Sequence, residues 1–247
     1  MFIVFEGGDG SGKTVQSKTL YEKLKKKKYN VLYTREPGET LFGKLLRQML
    51  SHPDLGQPVI NEELKQFVLM EPPVSDYTLS DVILQTAAPR SELLFFLLAR
   101  SQLVDEVIQP FLSRSNNAIV ICDRYIYSTV AYQGYGRGLN IDLIQEANKI
   151  ATGGLQPDLV ILLDLAPEEG LRRKQTPLSK DFFDDKEVEF HRKVRSGYLD
   201  QAESEPKRWL VIDGTLPVKK IEQLIWERFK PLLNSFGEIT EARENVV

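Results

Sequence analysis

Short apolar runs recur along the chain and alternate with longer segments of helical character. The runs are Phe2 to Phe5, Val31 to Tyr33, Ala118 to Cys122, Leu159 to Leu163 and Trp209 to Ile212. Four of them are continuous rather than alternating, as expected for strands that are covered on both faces. The pattern predicts βαβ units and therefore one doubly wound α/β domain, with a five-stranded parallel sheet flanked by helices. In such a sheet the functional residues lie at the carboxyl ends of the strands.

One helical segment, LLFFLLAR, is apolar on every side, which predicts a buried helix. Phe96 and Arg100 lie at positions i and i+4 of this helix, so they share a face and can contact one planar ligand together. Phe96 alone would be interpreted as a core residue. A buried arginine one turn away needs a polar partner, and this favours a ligand-binding face.

Composition and charge narrow the possible functions. The 247 residues are 42% hydrophobic, which is enough for a sizeable core, and the formal charge is −3. A bulk nucleic-acid binder would need a basic face, so any phosphate chemistry here must use local positive charge. The single cysteine, Cys122, allows no internal disulfide, and no apolar stretch reaches membrane-spanning length. We therefore expect a cytoplasmic protein without nucleic-acid or membrane partners.

A glycine-rich segment directly follows the first predicted strand. It matches G-x-x-x-x-G-K-[ST] with Gly7, Gly8, Asp9, Gly10, Ser11, Gly12, Lys13 and Thr14. In this motif successive backbone N–H groups surround a phosphate, the lysine reaches the terminal phosphates and the hydroxyl can bind Mg²⁺. A glycine-rich turn with a chance lysine is the alternative. The position between strand and helix favours a site for ATP or GTP with Mg²⁺.

Two carboxylates accompany this loop. Asp9 lies inside it, where a negative charge beside phosphates needs a metal, a water or a hydroxyl of a second substrate as partner. Asp123 ends the strand AIVIC, where an acid can hold Mg²⁺ through water, although a strand-end turn residue is the simpler interpretation. The chain has no guanine-binding N-K-x-D motif, so a switch GTPase ranks low.

Six segments resemble bacterial thymidylate kinases in order and spacing. They are FEGGDGSGKT, TREPGET, LLFFLLARSQ, DRYIYSTVAYQGYGRGL, PDLVILLDLAPEEGLRR and FHRKVRSGYL. The resemblance implies a P-loop NTPase fold with a lid segment, a homodimer, and transfer of the γ-phosphoryl group of ATP to dTMP. The acceptor phosphate is already anionic at neutral pH and needs no general base, so alignment and cations can provide the catalysis.

The resemblance also assigns roles to individual residues. It implies that Phe96 stacks on thymine, that Arg100 donates to a base carbonyl, and that Tyr132 favours deoxyribose. Further dTMP contacts are implied for Asp9 at the 3′-hydroxyl, for Arg35, Arg47 and Arg124 at the phosphate, and for Ser128, Thr129 and Gln133 at the sugar and base. The catalytic set is Lys13, Asp9, Arg124 and Arg173, with Thr14 and Asp123 on the Mg²⁺ side.

Two regions depart from the family pattern. The lid, at about 172–185, has Phe182 where the family has an arginine, and the P-loop has no arginine either. Arg173 is therefore the first candidate for the transition-state cation, with Arg172 and Lys180 as weaker ones. An insertion at about 51–90 is longer than the usual connection. We expect a single kinase domain over residues 1–235 and a polar tail over 236–247.

Three functions follow from these observations. The first is ATP-dependent dTMP kinase. The second is another kinase of the same fold, acting on a deoxynucleoside or on a different deoxynucleoside monophosphate. The third is a nucleotide-binding protein whose altered lid no longer supports phosphoryl transfer.

Overall fold

The structure is a computed structural model that describes residues 1–41, 43–44, 88–174 and 187–244, with side chains up to residue 233. The strands are β1 (Phe2–Glu6), β2 (Val31–Arg35), β3 (Ile119–Asp123), β4 (Leu159–Asp164) and β5 (Trp209–Asp213). The helices are α1 (Lys13–Lys26), α2 (Pro89–Leu103), α3 (Gln109–Ser113), α4 (Ile126–Thr129), α5 (Ile141–Thr152), α6 (Pro167–Arg173), α7 (Val188–Ser204) and α8 (Val218–Glu244). Two π-helical stretches, Val104–Ile108 and Val130–Gly136, follow α2 and α4.

The strands form one parallel sheet in the order β2-β3-β1-β4-β5. Successive residues of the central strands point to opposite faces, and each face has its own apolar cluster. Phe2 and Val4 belong to the cluster under α2 and α7, whereas Ile3 and Phe5 belong to the cluster under α1 and α8. Because both faces of the central strands β1, β3 and β4 are covered, these strands are apolar up to their last residue. The predicted doubly wound five-stranded sheet is confirmed.

Each strand continues one or two residues beyond the apolar run that predicts it. The added residues place a charged side chain at the carboxyl end of every strand, namely Glu6, Arg35, Asp123, Asp164 and Asp213. In a parallel sheet these ends meet at one edge. The edge formed by the carboxyl ends of the strands is therefore charged, whereas the rest of the sheet is mainly apolar. The candidate site lies at this edge.

Local signals explain where the helices begin and end. The side chain of Asn140 accepts a hydrogen bond from the Leu143 backbone N–H at 3.0 Å and caps the start of α5, and Gly153 ends that helix in the left-handed conformation. The last turn of α1 carries Lys23, Lys25 and Lys26, where positive charge complements the helix dipole.

Helix α2 corrects one sequence prediction. Its apolar sequence predicts burial on every side, but Leu94 and Leu98 are 63% and 47% exposed. That prediction is wrong because apolarity alone does not say which side of a helix this chain covers. The two leucines lie one turn apart and form an exposed apolar stripe opposite the core face.

Several predicted segments fall partly or wholly outside the described residues. Arg47, Lys180 and Phe182 lie there, as do most of the insertion and of the lid. Helix α8 runs to Glu244 and so includes most of the segment predicted as a polar tail. Cys122 is a buried free thiol. No helix in the described ranges is both long and apolar enough to cross a bilayer.

Candidate active site

The loop Gly7–Thr14 connects β1 to α1 and brings the predicted ATP-binding residues Gly7, Gly8, Asp9, Gly10, Ser11, Gly12, Lys13 and Thr14 together. Lys13 donates from Nζ to the Gly8 carbonyl oxygen at 2.9 Å, so its ammonium group folds back over the loop. The Ser11 hydroxyl is buried and has no hydrogen-bond partner in the described part of the chain. A buried polar atom without a partner favours a ligand at this position, because leaving it unpaired costs about 1–3 kcal/mol.

The loop packs directly on helix α6 through two glycines. A Cβ atom at Gly10 would lie 2.2 Å from the Gly170 carbonyl oxygen, and a Cβ atom at Gly170 would lie 2.2 Å from the Asp9 carbonyl oxygen. Gly10 also has a positive φ of 71°, a conformation that other residues adopt at a cost. Glycine at both positions therefore lets the segment leading to the lid contact the phosphate loop.

Thr14 and Asp123 form the candidate Mg²⁺ side of the site. Thr14 lies in the first turn of α1 and donates from Oγ1 to Asp123 Oδ2, at the end of β3, at 2.5 Å. Asp123 is only 5% exposed. A hydroxyl and a carboxylate in contact are oxygen donors of the type that Mg²⁺ prefers, with phosphate oxygens and water completing its shell. The residues present therefore fit a Mg²⁺ ion bound together with a nucleotide.

Arg124 turns the chain sharply after β3. Its φ is +73°, a left-handed conformation that costs a non-glycine residue about 1–2 kcal/mol. The turn sends Arg124 toward the phosphate loop, where Nη2 donates to Asp9 Oδ1 at 2.6 Å. The Tyr132 hydroxyl donates to the other oxygen of Asp9, at 2.7 Å. Three residues predicted to contact the second substrate thus form one cluster beside the loop.

Positive charge dominates around Asp9. Burial opposes ionisation of the carboxyl, but the charges of Arg124, Lys174 and Lys13 outweigh burial and lower the pKa of Asp9 well below its usual value. The Lys174 ammonium lies 3.8 Å from Asp9 Oδ1. Burial, with repulsion from Arg124, lowers the pKa of Lys13 to about 8. The negative charge of Asp9 is therefore fixed, and several cations surround it.

A second carboxylate, Glu6, lies behind this cluster and is fully buried. It accepts hydrogen bonds from the Tyr125 backbone N–H at 2.8 Å, from Ser128 Oγ at 2.6 Å and from the Tyr198 hydroxyl at 3.1 Å. Burial raises the pKa of Glu6 to about 7. Ser128 and Tyr198 also accept from Arg124 Nη1, at 3.1 and 3.2 Å. Glu6 thus anchors the residues that hold Arg124.

Arg100 occupies the predicted base pocket but is fully paired by the protein. Its side chain is 1% exposed, and Nε and Nη2 both donate to the carboxylate of Glu36, at 2.5–3.0 Å. Nη1 donates to Thr129 Oγ1 at 2.7 Å and to Asn148 Oδ1 at 2.6 Å, and Nη2 also donates to the Tyr125 carbonyl oxygen. All five N–H donors of a guanidinium group are therefore used, and none is left over for a base carbonyl.

The other predicted base residues lie on either side of this ion pair. Phe96, half-buried, is one turn before Arg100 on α2. Thr129 ends α4, and Gln133 lies four residues later in the π-helical stretch. Gln133 is 2% exposed and donates from Nε2 to Glu92 at 2.7 Å. The predicted residues thus lie on two neighbouring segments. Two of them pair with acids that were not predicted, Arg100 with Glu36 and Gln133 with Glu92.

The remaining predicted cations differ in their surroundings. Arg35 ends β2 beside Asp123 in the strand register, and its side chain donates no hydrogen bond within the described residues. Arg173 is held by Glu169 at 2.8 Å and by the Gly214 carbonyl oxygen at 3.0 Å, both outside the phosphate loop. Arg172 is exposed and pairs with the same Glu169. Among the three cations at the end of α6, namely Arg172, Arg173 and Lys174, it is Lys174 that pairs with the phosphate loop, through Asp9.

Sequence reasoning missed five polar residues that hold the site. Glu6 had a usable signal, because an acid that directly follows FIVF lies at the end of a buried strand. Tyr198 and Glu36 lie inside the segments RSGYL and TREPGET, whose patterns point to no role for these two side chains. Asn148 and Glu92 give no signal in the sequence, because a polar residue on a helix is ordinarily exposed.

Comparisons with known proteins show similarity to thymidylate kinases over almost the whole chain. The family model described as thymidylate kinase matches residues 5–70 and 58–225. A relative named thymidylate kinase from Synechococcus sp. (strain JA-3-3Ab) is 40% identical over 94% of this chain and 97% of its own length. Another relative of that name, from Thermomicrobium roseum, is 39% identical over 91% of this chain and 92% of its own length. The crystal structure of thymidylate kinase from Ehrlichia chaffeensis is 31% identical, with a TM-score of 0.66 over 93% of this chain and 98% of that one.

Proposed function

We propose that this chain, which belongs to the thymidylate kinase family, is an enzyme that transfers the γ-phosphoryl group of ATP to dTMP and releases dTDP and ADP. The cluster of Arg124, Asp9 and Tyr132 beside the phosphate loop carries the proposal. It provides a cation for an acceptor phosphate, a carboxylate for a sugar hydroxyl and an aromatic ring against the sugar. A protein that only hydrolyses or binds ATP has no need of such an acceptor site.

ATP binds along the loop Gly7–Thr14, whose backbone N–H groups and Lys13 face its phosphates. The Lys13 ammonium exchanges its contact with the Gly8 carbonyl for the terminal phosphates. Thr14 directly and Asp123 through water would hold Mg²⁺, and the ion would neutralise charge on the nucleotide phosphates. Ser11, which has a buried hydroxyl without a partner in the described residues, gains a phosphate oxygen as its acceptor.

The dTMP phosphate lies against Arg124 and Arg35 at the ends of β3 and β2. Both strands are adjacent and parallel, so the two guanidinium groups come from the same edge of the sheet. The acceptor is an anion at neutral pH and attacks the γ-phosphorus without losing a proton to the enzyme. Arg124 and Arg35 act by aligning it and by screening the repulsion between two anions. Arg47, which lies outside the described residues, is a further candidate for this phosphate.

The nucleoside lies between α2 and the segment after β3. Phe96 stacks on the base, and Thr129 and Gln133 line its edge. Ser128 supports the sugar side through Arg124. Asp9 accepts the 3′-hydroxyl, and Tyr132 occupies the space that a 2′-hydroxyl would need. Arg100 shapes this pocket through Glu36 and Thr129, and a base carbonyl can share one of its donors only in a three-centre hydrogen bond.

A cation near the transferred phosphoryl group comes from the end of α6 or from the residue directly after it. Lys174 is supported by its 3.8 Å contact with Asp9, whereas Arg173 would first have to leave Glu169 and Gly214. We therefore place Lys174 ahead of Arg173 as the stabiliser of transition-state charge.

A homodimer is also proposed, since the stripe formed by Leu94 and Leu98 leaves apolar surface that a second copy of the chain would cover. A cytoplasmic location is proposed on the basis of the buried free thiol of Cys122. We also propose a single kinase domain over residues 1–235, with an insertion at about 51–90 and a lid at about 172–185; its last helix, α8, continues past this boundary to Glu244.

The test is a coupled assay of ADP formation with Mg²⁺-ATP and one acceptor at a time. The acceptors are dTMP, dUMP, dCMP, uridine monophosphate and thymidine, and a reaction without acceptor measures hydrolysis. We expect kcat/KM to be higher with dTMP than with any of the other acceptors. Preference for thymidine would identify a deoxynucleoside kinase, preference for dCMP a different monophosphate kinase, and nucleotide binding without ADP formation a protein that has lost turnover.

A further inference from the structure

Two polar contacts join helix α2 to the segment that follows β3, one at each end of Phe96. On α2, Glu92, Phe96 and Arg100 lie at successive i+4 positions and therefore share one face. At one end Arg100 Nη1 donates to Thr129 Oγ1 at 2.7 Å, and at the other Gln133 Nε2 donates to Glu92 Oε1 at 2.7 Å. The aromatic ring is thus framed by two fixed polar groups, as a planar ligand that stacks on it requires.

The contact with Glu92 decides which way the Gln133 side-chain amide points. A carboxylate only accepts hydrogen bonds, so the amide must turn its NH₂ group toward Glu92 and its carbonyl oxygen away. Both side chains are buried, with Glu92 1% and Gln133 2% exposed, so water does not compete for the contact. Within the described residues the side-chain carbonyl oxygen of Gln133 accepts no hydrogen bond. It is therefore an acceptor available to a ligand.

Arg137 makes this arrangement stable. It donates from Nη2 to Glu92 Oε2 at 2.5 Å and from Nε to Glu92 Oε1 at 3.3 Å. A buried carboxylate without a counter-charge would be costly. The guanidinium group thus supplies the counter-charge that the buried Glu92 needs, and Glu92 holds the amide in one orientation.

We infer that Glu92 is a positioning residue that makes the pocket selective for thymine over cytosine, by presenting the side-chain carbonyl oxygen of Gln133 to the base. This rests on the proposed function. Thymine has an N3–H that donates to such an oxygen, whereas cytosine has a lone pair at N3 that would face it. A site built to accept a substrate N–H discriminates strongly against an analogue that lacks it, because a buried acceptor is left unpaired.

The experiment compares kcat/KM for dTMP and dCMP in the wild-type protein and in Glu92→Gln. The variant has the same shape but can present either a donor or an acceptor, so the Gln133 amide is free to turn. We expect the dTMP-to-dCMP ratio to fall at least about tenfold. Glu146→Gln, an exposed glutamate paired with Lys149 on α5, is the matched control and should keep the wild-type ratio.

A purely structural role for Glu92 would lower kcat/KM for both substrates by the same factor and leave the ratio unchanged, and that result would overturn the inference. Glu92→Asp keeps the carboxylate and should keep most of the selectivity. If it loses the ratio as fully as Glu92→Gln does, Glu92 acts through packing and the inference is also wrong.

A further measurement needs no variant and so does not depend on the variants folding. The wild-type protein is assayed with the 3-deaza analogue of dTMP, in which a C–H replaces N3–H. We expect kcat/KM at least about tenfold below that of dTMP; equal turnover would overturn the inference. A wild-type protein that does not phosphorylate dTMP at all overturns the proposed function and this inference with it. If the enzyme is active on dTMP but its dTMP-to-dCMP ratio does not change in the Glu92 variants, only the inference is overturned.

Discussion

Replacing Arg100 with methionine should destabilise the protein even when no nucleotide is present. The side chains of Arg100 and Glu36 are 1% and 5% exposed, and the guanidinium group also holds Thr129, Asn148 and the Tyr125 carbonyl. Burial opposes the charge of Arg100, but Glu36 outweighs it and raises the pKa of Arg100. Burial raises the pKa of Glu36 while Arg100 opposes that shift. Because every donor of Arg100 meets an acceptor, we take the pair as ionised.

The expected magnitude follows from what the substitution leaves behind. Methionine fills a similar volume but leaves Glu36 buried without a counter-charge, and breaking a buried pair in this way costs about 3–5 kcal/mol. That is a large part of the roughly 5–15 kcal/mol by which a domain is ordinarily stable. Replacing Glu36 by leucine in the same protein should restore at least half of the loss, because the uncompensated carboxylate is then gone.

The assay is urea unfolding of the nucleotide-free protein, followed by circular dichroism. Arg192→Met is the matched control: Arg192 pairs with Glu168 through the same chemistry, but the two side chains are 58% and 50% exposed, so no measurable change is expected. If Arg100→Met unfolds like the wild type and loses only dTMP affinity, Arg100 serves mainly the ligand and the reasoning is refuted.

Three further predictions test the neighbouring residues. Glu6, whose pKa burial raises from 4.5 to about 7, stays protonated in the folded protein at pH values where the unfolded chain has released the proton. Stability should therefore fall by about 3 kcal/mol as pH rises from about 4.5 to 7 and then level off, and Glu6→Gln should remove this decline; an unchanged pH profile would contradict the assignment. Lys174→Met should lower kcat about 10²-fold with little change in ATP affinity, and more than Arg173→Met does; the reverse order in single-turnover rates would restore Arg173 as the catalytic cation. Tyr132→Ala should lower the preference for dTMP over ribothymidine monophosphate about tenfold, and an unchanged kcat/KM ratio would place the 2′ position elsewhere.

The fold could be predicted because its signal is local. Each strand is an apolar run, and the turn at Gly7–Thr14 follows the first of them, so no long-range contact was needed to infer a parallel sheet with a phosphate loop at its edge. The candidate ligand-binding residues could be proposed from the sequence, because few roles besides ligand binding place glycines, arginines and aromatic residues in one short motif. The exposed side of α2 was not predictable, since the sequence does not say which side the chain itself covers.

The second layer of the site escaped prediction for a different reason. The resemblance to thymidylate kinases implies that Arg100 donates to a base carbonyl, and the sequence alone says only that a buried arginine needs some polar partner. Its acceptors come from Glu36, 64 residues away, and Asn148, 48 residues away, and a contact over such separations has no local pattern. Gln133 and Glu92 are 41 residues apart in the same way. Only the folded chain brings them together.

The buried acids share one physical task, and this bears on how substitutions in the site are interpreted. Glu6, Glu36 and Glu92 each lie behind a candidate ligand-binding residue and fix the orientation of its polar groups. Arg100 and Arg137 neutralise two of these acids, Glu36 and Glu92, which cannot reach water, and in doing so they also shape the proposed base pocket. Removing Arg100 or Arg137 therefore changes stability and activity together. A loss of turnover in such a variant identifies a catalytic or binding role only when the apo protein has kept its free energy of unfolding.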